Sequence, residues 1–244
     1  MDAFYDSTPM DGISPYNDDY ILKALDKVEN ADKAGASFFY LHLMSSHPLG
    51  ERKERFNQWT PVRNRHNELR GLDSATVNYY DGGVLQADDY IKQIFSKLTD
   101  KGYLQNSLVA IVADHGESLG EHGVVGHYSR LYEEQLRIPI LFYGKHIDLQ
   151  RLTNLKYAFL TDVAPTLIDF LGLKLPKTWE GYSLFKTNGF ENRTDYLQLA
   201  NVFKGWMTKK DTIYSKYIQN LQNGQTELFD LNIDIDEKNN LIQK

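Results

Sequence analysis

The stretch LVAIVADHGESLGEHGVVGHY, residues 108–128, decides the fold, because an apolar run ends abruptly in a polar, glycine-rich loop. The run over residues 107–113 is typical of a strand that is buried on both faces. The loop begins at Asp114-His115 and holds three of the seven histidines of the chain. Its glycines bury little surface, so core packing does not explain the polar cluster. Aspartate and neutral histidine are good zinc or manganese ligands, and we therefore interpret the loop as a functional site.

Outward from this stretch, two kinds of apolar pattern alternate along the chain. Helical spacing predicts three helices, over residues 18–32, 73–99 and 161–172. Near-continuous apolar runs predict three buried strands, over residues 36–44, 107–113 and 137–144. This order is typical of α/β proteins, and we expect a mostly parallel central sheet that is flanked by helices.

Two short glycine-containing motifs add detail. Gly82-Gly83 lies inside the longest helical pattern, where two glycines cost about 2 kcal/mol relative to two alanines. Either the helix breaks there or another segment packs closely against it. Asn223-Gly224 is a strong hairpin signal between two strand-like segments. We expect a small antiparallel sheet around it, and we divide the chain into a main domain, residues 1–200, and a C-terminal antiparallel subdomain, residues 201–244.

Composition argues against several classes of protein. The net charge of −6, with no block of like charges, argues against a nucleic-acid partner and against a polybasic membrane-surface patch. No apolar run approaches the roughly 20 residues of a transmembrane helix. The acidic N-terminal segment lacks the features of a signal peptide, so we expect this chain by itself to be soluble. The absence of cysteine excludes disulfides, thiolate metal sites and a cysteine nucleophile.

Histidines follow the predicted strands and define the candidate site. His47 comes after the first strand, Asp114 and His115 come after the second, and His127 lies in the same loop as Asp114. Ligands bind at the carboxyl ends of the strands in open α/β sheets. We therefore expect these four side chains to lie together at one edge of the sheet.

Other polar residues are expected to have no direct role in this site. We expect Glu117 to cap a following turn, and Glu121 and His122 to be solvated or to lie behind the ligands. His66 and His146 have no clustered partner, and we expect them to be ordinary surface or hydrogen-bonded residues.

Several segments together resemble the alkaline phosphatase superfamily, on its sulfatase-like branch. ADHGESLGEHG, at 113–123, is the most specific of them, and SSHP, at 45–48, resembles the histidine loop that contacts substrate in that family. The resemblance covers most of residues 36–242 and implies an alkaline phosphatase-like fold. ADHGESLGE and the pair His42/His47 are most similar to bacterial phosphoethanolamine transferases, whereas VVGHYSRLYEEQ is closer to general sulfatases.

This resemblance implies a metal and a set of roles. The divalent metal would be zinc, with manganese or calcium as alternatives, and Asp114 and His115 would be its ligands. His47 and His127 would be catalytic and would contact the transferred group or a second metal, with His42 nearby as a substrate or second-metal contact.

The chemistry that the resemblance implies is displacement at the phosphoryl or sulfuryl centre of an ester. Water as the acceptor makes a hydrolase. An alcohol as the acceptor makes a transferase, such as one that moves phosphoethanolamine from a lipid-linked donor to a cell-envelope acceptor. The intact protein would then act in the periplasm or at the extracellular face of the membrane.

The front of the chain departs from the family pattern. The family begins with a strand that carries acidic ligands and a helix that carries the nucleophile, and neither pattern precedes residue 36. Ser7 and Thr8 lie in no such context. We therefore expect this chain to be the C-terminal portion of a larger catalytic domain, to contain no nucleophile and to be inactive alone. An exposed sheet edge would favour a homodimer. The alternative is a non-catalytic binding or assembly module, or a pseudoenzyme.

Overall fold

The computed structural model describes residues 14–62, 73–145, 156–186 and 192–243. The chain forms two compact units. The first comprises residues 1–107 and 144–146, and the second comprises residues 108–143 and 147–244. Among the helices of the described residues, none is long and apolar enough to cross a bilayer.

The first unit is helical. Helix α1 spans Asp19–Lys27, α2 spans Ala31–Ala34 and α3 spans Ser74–Asp100. The long helix predicted over 73–99 is confirmed, and Asp73 caps it by accepting a hydrogen bond from the Thr76 amide at 2.7 Å. The predicted helix over 18–32 is interrupted before α2. Ile21 and Leu25 of α1 pack against Ile94 and Leu98 of α3, and these four side chains form the core of this unit.

The glycine pair does not break α3, because other segments pack against it. A Cβ atom on Gly82 would lie 2.8 Å from the carbonyl oxygen of Phe56. A Cβ atom on Gly83 would lie 2.5 Å from the guanidinium of Arg52. The second of the two expectations for this pair, close packing, is therefore confirmed.

Residues 36–44 form no strand, so that prediction is wrong. Phe39 and Leu43 pack against the α1–α3 core, whereas Phe38 and Tyr40 are 82% and 78% exposed. An apolar run supplies strand propensity, but a strand also requires a ladder partner, and the described residues provide none here. The C-terminal end of this segment is instead held by Asp18, whose carboxylate accepts hydrogen bonds from the amides of Met44 and Ser45.

In the second unit, the predicted strands over 107–113 and 137–144 are present but pair antiparallel. β1 spans Val109–Val112, and β4 spans Ile140–Tyr143. Parallel neighbours need a crossover of a dozen or more residues, usually a helix. Residues 113–139 instead contain a hairpin of two-residue strands, β2 (Ser118–Leu119) and β3 (Val125–Gly126), and the four-residue helix α4 (Glu133–Leu136). Neither strand is buried on both faces, since Val112 and Leu141 are exposed.

Helix α5, Val163–Phe170, follows a 3₁₀ turn and confirms the helix predicted over 161–172. Asp162, just before it, is fully buried. Its carboxylate accepts hydrogen bonds from the Phe159 and Tyr182 amides at 2.9 and 2.8 Å, and from the Arg193 guanidinium at 2.8 Å. Asp162 therefore joins three segments rather than capping α5.

A four-stranded antiparallel sheet completes the second unit. Its strands are paired in chain order, β5 (Thr194–Leu199), β6 (Phe203–Lys210), β7 (Ile213–Asn220) and β8 (Thr226–Asp230). The hairpin predicted around Asn223-Gly224 is confirmed: Ile218 of β7 pairs with Glu227 of β8, and Gly224 has a φ of 74°. The sheet begins before residue 201, and the division of the chain at that residue stays a prediction.

One ion cluster is buried beneath this sheet. The Lys216 ammonium of β7 is fully buried, 2.8 Å from a Glu133 oxygen and 2.7 Å from a Glu237 oxygen. Glu237 also accepts a hydrogen bond from the Glu133 amide at 2.6 Å. Two carboxylates share one ammonium, and burial raises the pKa of Glu237 to about 7, although Lys216 opposes the shift. This cluster, Lys216–Glu133–Glu237, is called the buried ion triad below.

The raised pKa of Glu237 predicts a pH dependence of stability. The folded carboxyl keeps its proton up to about pH 7, whereas its ordinary pKa is 4.5. The stability that this proton brings is therefore present below pH 4.5 and is lost as the pH rises through about 7. We expect the free energy of unfolding to fall by about 3 kcal/mol over this interval. Glu237→Gln should remove this dependence on pH. Urea unfolding at several pH values measures the slope. Asp236→Asn, at an exposed neighbour, should leave the slope unchanged, and a slope that persists in Glu237→Gln would contradict the assignment.

Candidate metal centre

The loop after β1 folds back on itself as a small hairpin. β2 (Ser118–Leu119) pairs antiparallel with β3 (Val125–Gly126), so that Ser118 lies opposite Gly126. Gly126 has a φ of 88°, a conformation that suits glycine. This pairing places Glu117, just before β2, beside His127, just after β3.

Three side chains of this hairpin form a cluster that can hold a metal ion. His115, Glu117 and His127 each offer one ligand atom, and these atoms all lie within 4.8 Å of one another. His127 Nδ1 lies 2.7 Å from a Glu117 oxygen, and the two imidazole rings are 4.1 Å apart. The side chains are 31%, 8% and 17% exposed in that order, so the cluster is accessible mainly on the His115 side.

Glu117 carries the clearest sign of a missing partner. Its Oε1 atom is buried and, in the part of the chain that the structure describes, has no hydrogen-bond partner. A buried polar atom without a partner costs about 1–3 kcal/mol, and more when the group is charged. A cation held by this cluster would give the Glu117 carboxylate a further partner. Two histidines and a carboxylate are also a common ligand set for zinc, so the residues fit a zinc ion.

Asp114 lies beside this cluster but outside it. Its side chain is 78% exposed, and one oxygen is 3.8 Å from His115 Nε2. The other oxygen accepts a hydrogen bond from the His115 amide at 3.1 Å. The predicted ligand His115 therefore takes part in the cluster, whereas Asp114 as a ligand stays a prediction.

The histidines that precede residue 50 belong to the first unit. His47 lies in a turn, and its Nδ1 accepts a hydrogen bond from the Leu49 amide at 3.0 Å. The carbonyl of His42 accepts a hydrogen bond from the Tyr20 hydroxyl at 2.9 Å. Whether His47 shares an edge with Asp114 stays a prediction. Four other residues considered above lie outside the described residues: Ser7, Thr8, His66 and His146.

Sequence reasoning assigned Glu117 to a turn cap and so missed its place in the cluster. A signal was available, because residues 115 and 117 lie on the same side of an extended chain. His122 is held by protein partners: its Nδ1 lies 2.9 Å from a Glu134 oxygen, and its ring stacks on Tyr132. Burial alone would lower the pKa of His122, but the Glu134 carboxylate outweighs it and raises that pKa.

Comparison with known proteins places this chain in a family. Residues 2–173 match the family model described as Sulfatase. The chain is 30% identical to an arylsulfatase of Clostridium perfringens over 71% of its own length and 37% of that protein. It is 27% identical to the phosphatidylethanolamine transferase Mcr-2 of Escherichia coli, over 64% of this chain and 30% of that protein. The chain thus spans about a third of the length of these relatives.

Solved structures give the same fold. A structure described as a 2-O GAG sulfatase superposes with a TM-score of 0.56 at 21% identity, over 72% of this chain and 41% of that one. A second, solved with its substrate D-glucosamine-2-N,6-O-disulfate, superposes with a TM-score of 0.52 at 21% identity, over 71% and 39%. The predicted fold class, an alkaline phosphatase-like α/β fold with a small antiparallel C-terminal sheet, is confirmed.

The cluster predicts how zinc affinity depends on its residues. We expect Glu117→Gln to weaken zinc binding by more than the roughly 10–100-fold that follows loss of an outer-shell partner, because it removes a charged ligand oxygen. His115→Ala and His127→Ala should behave alike. Glu121→Gln is the control in the same loop, since its carboxylate accepts a hydrogen bond from the Leu119 amide and is not part of the cluster found among the described residues.

Titration calorimetry with zinc measures each affinity. Equal losses in Glu117→Gln and Glu121→Gln would contradict the cluster. Asp114→Ala in the same series tests the ligand that was predicted from sequence, and an affinity equal to that of the unaltered chain would remove Asp114 from the ligand set.

Proposed function

Because the chain belongs to the sulfatase family, we propose that it supplies the metal- and histidine-bearing part of a site that cleaves sulfate or phosphate esters. The observation that carries this proposal is a buried Glu117 oxygen that has no hydrogen-bond partner among the described residues and belongs to the carboxylate of the His115–Glu117–His127 cluster. Such an arrangement has little structural value without a cation. It is therefore better explained as a binding site than as part of the core.

The ligand set favours zinc among the metals that were expected. Imidazole nitrogens suit zinc, whereas manganese and calcium favour oxygen ligands, and two of the three ligand atoms here are nitrogens. When bound, zinc polarises ester oxygens and lowers the pKa of a coordinated hydroxyl group. His115, Glu117 and His127 would hold it, with Asp114 as a further ligand.

The protein groups contribute orientation and proton transfer. Glu117 orients the ring of His127 through the 2.7 Å contact to Nδ1. His127 is proposed to serve in one of two exclusive roles: as a metal ligand, or as a donor that gives a hydrogen bond to an ester oxygen or a proton to the leaving group. His47 is proposed to act similarly, with His42 near the substrate, in keeping with the resemblance of SSHP to the substrate-contacting loop.

Hydrolysis and transfer share this chemistry and differ in the acceptor. The arylsulfatase relative supports a hydrolase that delivers water. Two phosphatidylethanolamine transferases of Escherichia coli, Mcr-1 and Mcr-2, support transfer to an alcohol as a second candidate. A lipid-linked substrate and a site of action in the periplasm or outside the cell belong to this second candidate.

Binding of simple oxyanions tests the proposed function. We expect the zinc-loaded chain to bind inorganic sulfate or phosphate, because the metal presents positive charge to the anion and His127 either holds the metal or donates a hydrogen bond to the anion. His127→Ala and removal of zinc should both abolish this binding, whereas Glu121→Gln should leave it intact. Calorimetric titration measures it. A zinc-loaded chain that binds neither anion would favour the non-catalytic module instead.

Turnover is a separate prediction. We expect the 244-residue chain alone to cleave neither nitrophenyl sulfate nor nitrophenyl phosphate with zinc, manganese or calcium, because no segment resembles the nucleophile-bearing helix of the family. Release of nitrophenol is followed by absorbance. Metal-dependent release that disappears in Asp114→Ala would show that the chain holds a nucleophile, with Ser7 or Thr8 the first to replace.

A further inference from the structure

Gln135 is a buried residue of α4. Its side chain forms hydrogen bonds with both arms of the β2–β3 hairpin, here called the metal-site hairpin, whose first arm carries Glu117 and whose second arm carries His127. Gln135 is 4% exposed. Its Nε2 atom donates to the Ser118 hydroxyl at 3.0 Å, one residue after Glu117. The same nitrogen donates to the Ser129 hydroxyl at 2.9 Å, two residues after His127. Both protons of one amide group are thus used to tie together the two chain segments that carry the ligands.

The acceptor side of Gln135 reinforces the same link. Its Oε1 atom accepts hydrogen bonds from the amides of Ser129 and Arg130, at 3.4 and 3.2 Å. Its backbone carbonyl accepts a hydrogen bond from the Gly116 amide at 2.8 Å, between His115 and Glu117. Gln135 therefore contacts the chain next to each of the three clustered side chains.

The backbone approach at Gly116 shows how closely α4 fits against the loop. A Cβ atom on Gly116 would lie 2.3 Å from the carbonyl oxygen of Glu134, a distance that no side chain allows. The Glu134 carboxylate adds a weaker contact with the Ser118 hydroxyl at 3.4 Å. The loop therefore rests directly on α4, and the spacing between its arms depends on what the α4 side chains hold.

We infer that Gln135 is the positioning residue of the His115–Glu117–His127 cluster, setting the distance between the Glu117 arm and the His127 arm. It touches neither metal nor substrate and acts only through Ser118, Ser129 and the loop backbone. An amide suits this task because it offers two donors and one acceptor, all of which are used here. The inference rests on the proposed function in so far as the cluster serves a metal, but the geometry it explains exists without one.

Cobalt(II) is the probe for the metal-bound cluster, since its visible absorption reports ligand geometry and it accepts the same ligands as zinc. Gln135→Met keeps the length of the side chain and removes every polar contact of that side chain. We expect its cobalt affinity to fall at least tenfold, with a change in the shape of the visible bands. Gln135→Glu keeps the acceptor and should restore part of the affinity, because the serine hydroxyls can turn to donate to it.

Thr166→Val is the matched control in the same unit. Thr166 is fully buried, donates to the Asp162 carbonyl at 2.7 Å and accepts from the Leu184 amide at 2.9 Å, away from the loop. Its replacement should lower the urea midpoint as Gln135→Met does, while leaving the cobalt affinity and spectrum unchanged. Equal loss of cobalt binding in both variants would show that stability alone is responsible and would overturn the inference.

A second measurement needs no metal. The Nδ1 proton of His127, held against Glu117 at 2.7 Å, should give a protected imidazole signal in the NMR spectrum of the metal-free chain. We expect Gln135→Met to abolish this signal and Thr166→Val to keep it. If the unaltered chain binds no cobalt, the proposed function fails while the NMR result still decides the role of Gln135. If the signal survives in Gln135→Met, the positioning role fails whatever the metal result.

Discussion

The Lys216 ammonium lies fully buried between the carboxylates of Glu133 and Glu237, and the order of the metal-site loop depends on this contact. A buried charge without partners is strongly destabilising, so the sheet that carries Lys216 requires α4 to lie where Glu133 can reach it. Residues 134 and 135 then extend from the same short helix toward the loop. The position of the candidate site relative to the C-terminal sheet therefore depends on this four-residue helix, which contacts both.

Two carboxylate–histidine pairs in this loop look similar and differ in one respect. Glu134 holds His122, which also stacks on Tyr132 and bonds to the tail, so every polar atom of that ring has a protein partner. Glu117 holds His127 with one oxygen, and its other oxygen is buried with no hydrogen-bond partner in the described part of the chain. The Glu134–His122 pair therefore stabilises the loop, whereas the Glu117–His127 pair has a carboxylate oxygen that can bind a cation. Completeness of hydrogen bonding, rather than residue type, separates a structural histidine from a candidate ligand here.

Structural features that depend on residues close together in the sequence could be predicted from the sequence. The period of apolar residues located α3, and Asn223-Gly224 located the β7–β8 hairpin, because a helical face and a tight turn are encoded by nearby residues. Strand direction is not encoded in this way. An apolar run predicts a strand but does not indicate whether that strand pairs parallel or antiparallel. The antiparallel pairing is indicated only by the 27 residues between β1 and β4, which lack a crossover helix.

In the candidate site, too, residues with a local sequence signal were predicted, whereas residues whose roles depend on contacts between segments were not. His115 and His127 were identified because histidines are rare in this chain and cluster after an apolar run. Glu117 and Gln135 were missed because acidic and amide side chains are common on any surface, and their roles arise from contacts between segments. Gln135 in particular is distinguished by burial and by the two serines that it joins, neither of which a single sequence reveals.

The buried ion triad also has a consequence for the order of events during synthesis. Glu133 and Glu237 are 104 residues apart, so the ribosome adds the second carboxylate about 5–20 seconds after the first. During that interval the β2–β3 hairpin can already have formed, since its strands are close in sequence, but α4 is not yet fixed against β7. During this interval the residues of the candidate metal centre and Gln135 have already been synthesised, whereas the contact that fixes α4 against the C-terminal sheet has not yet formed.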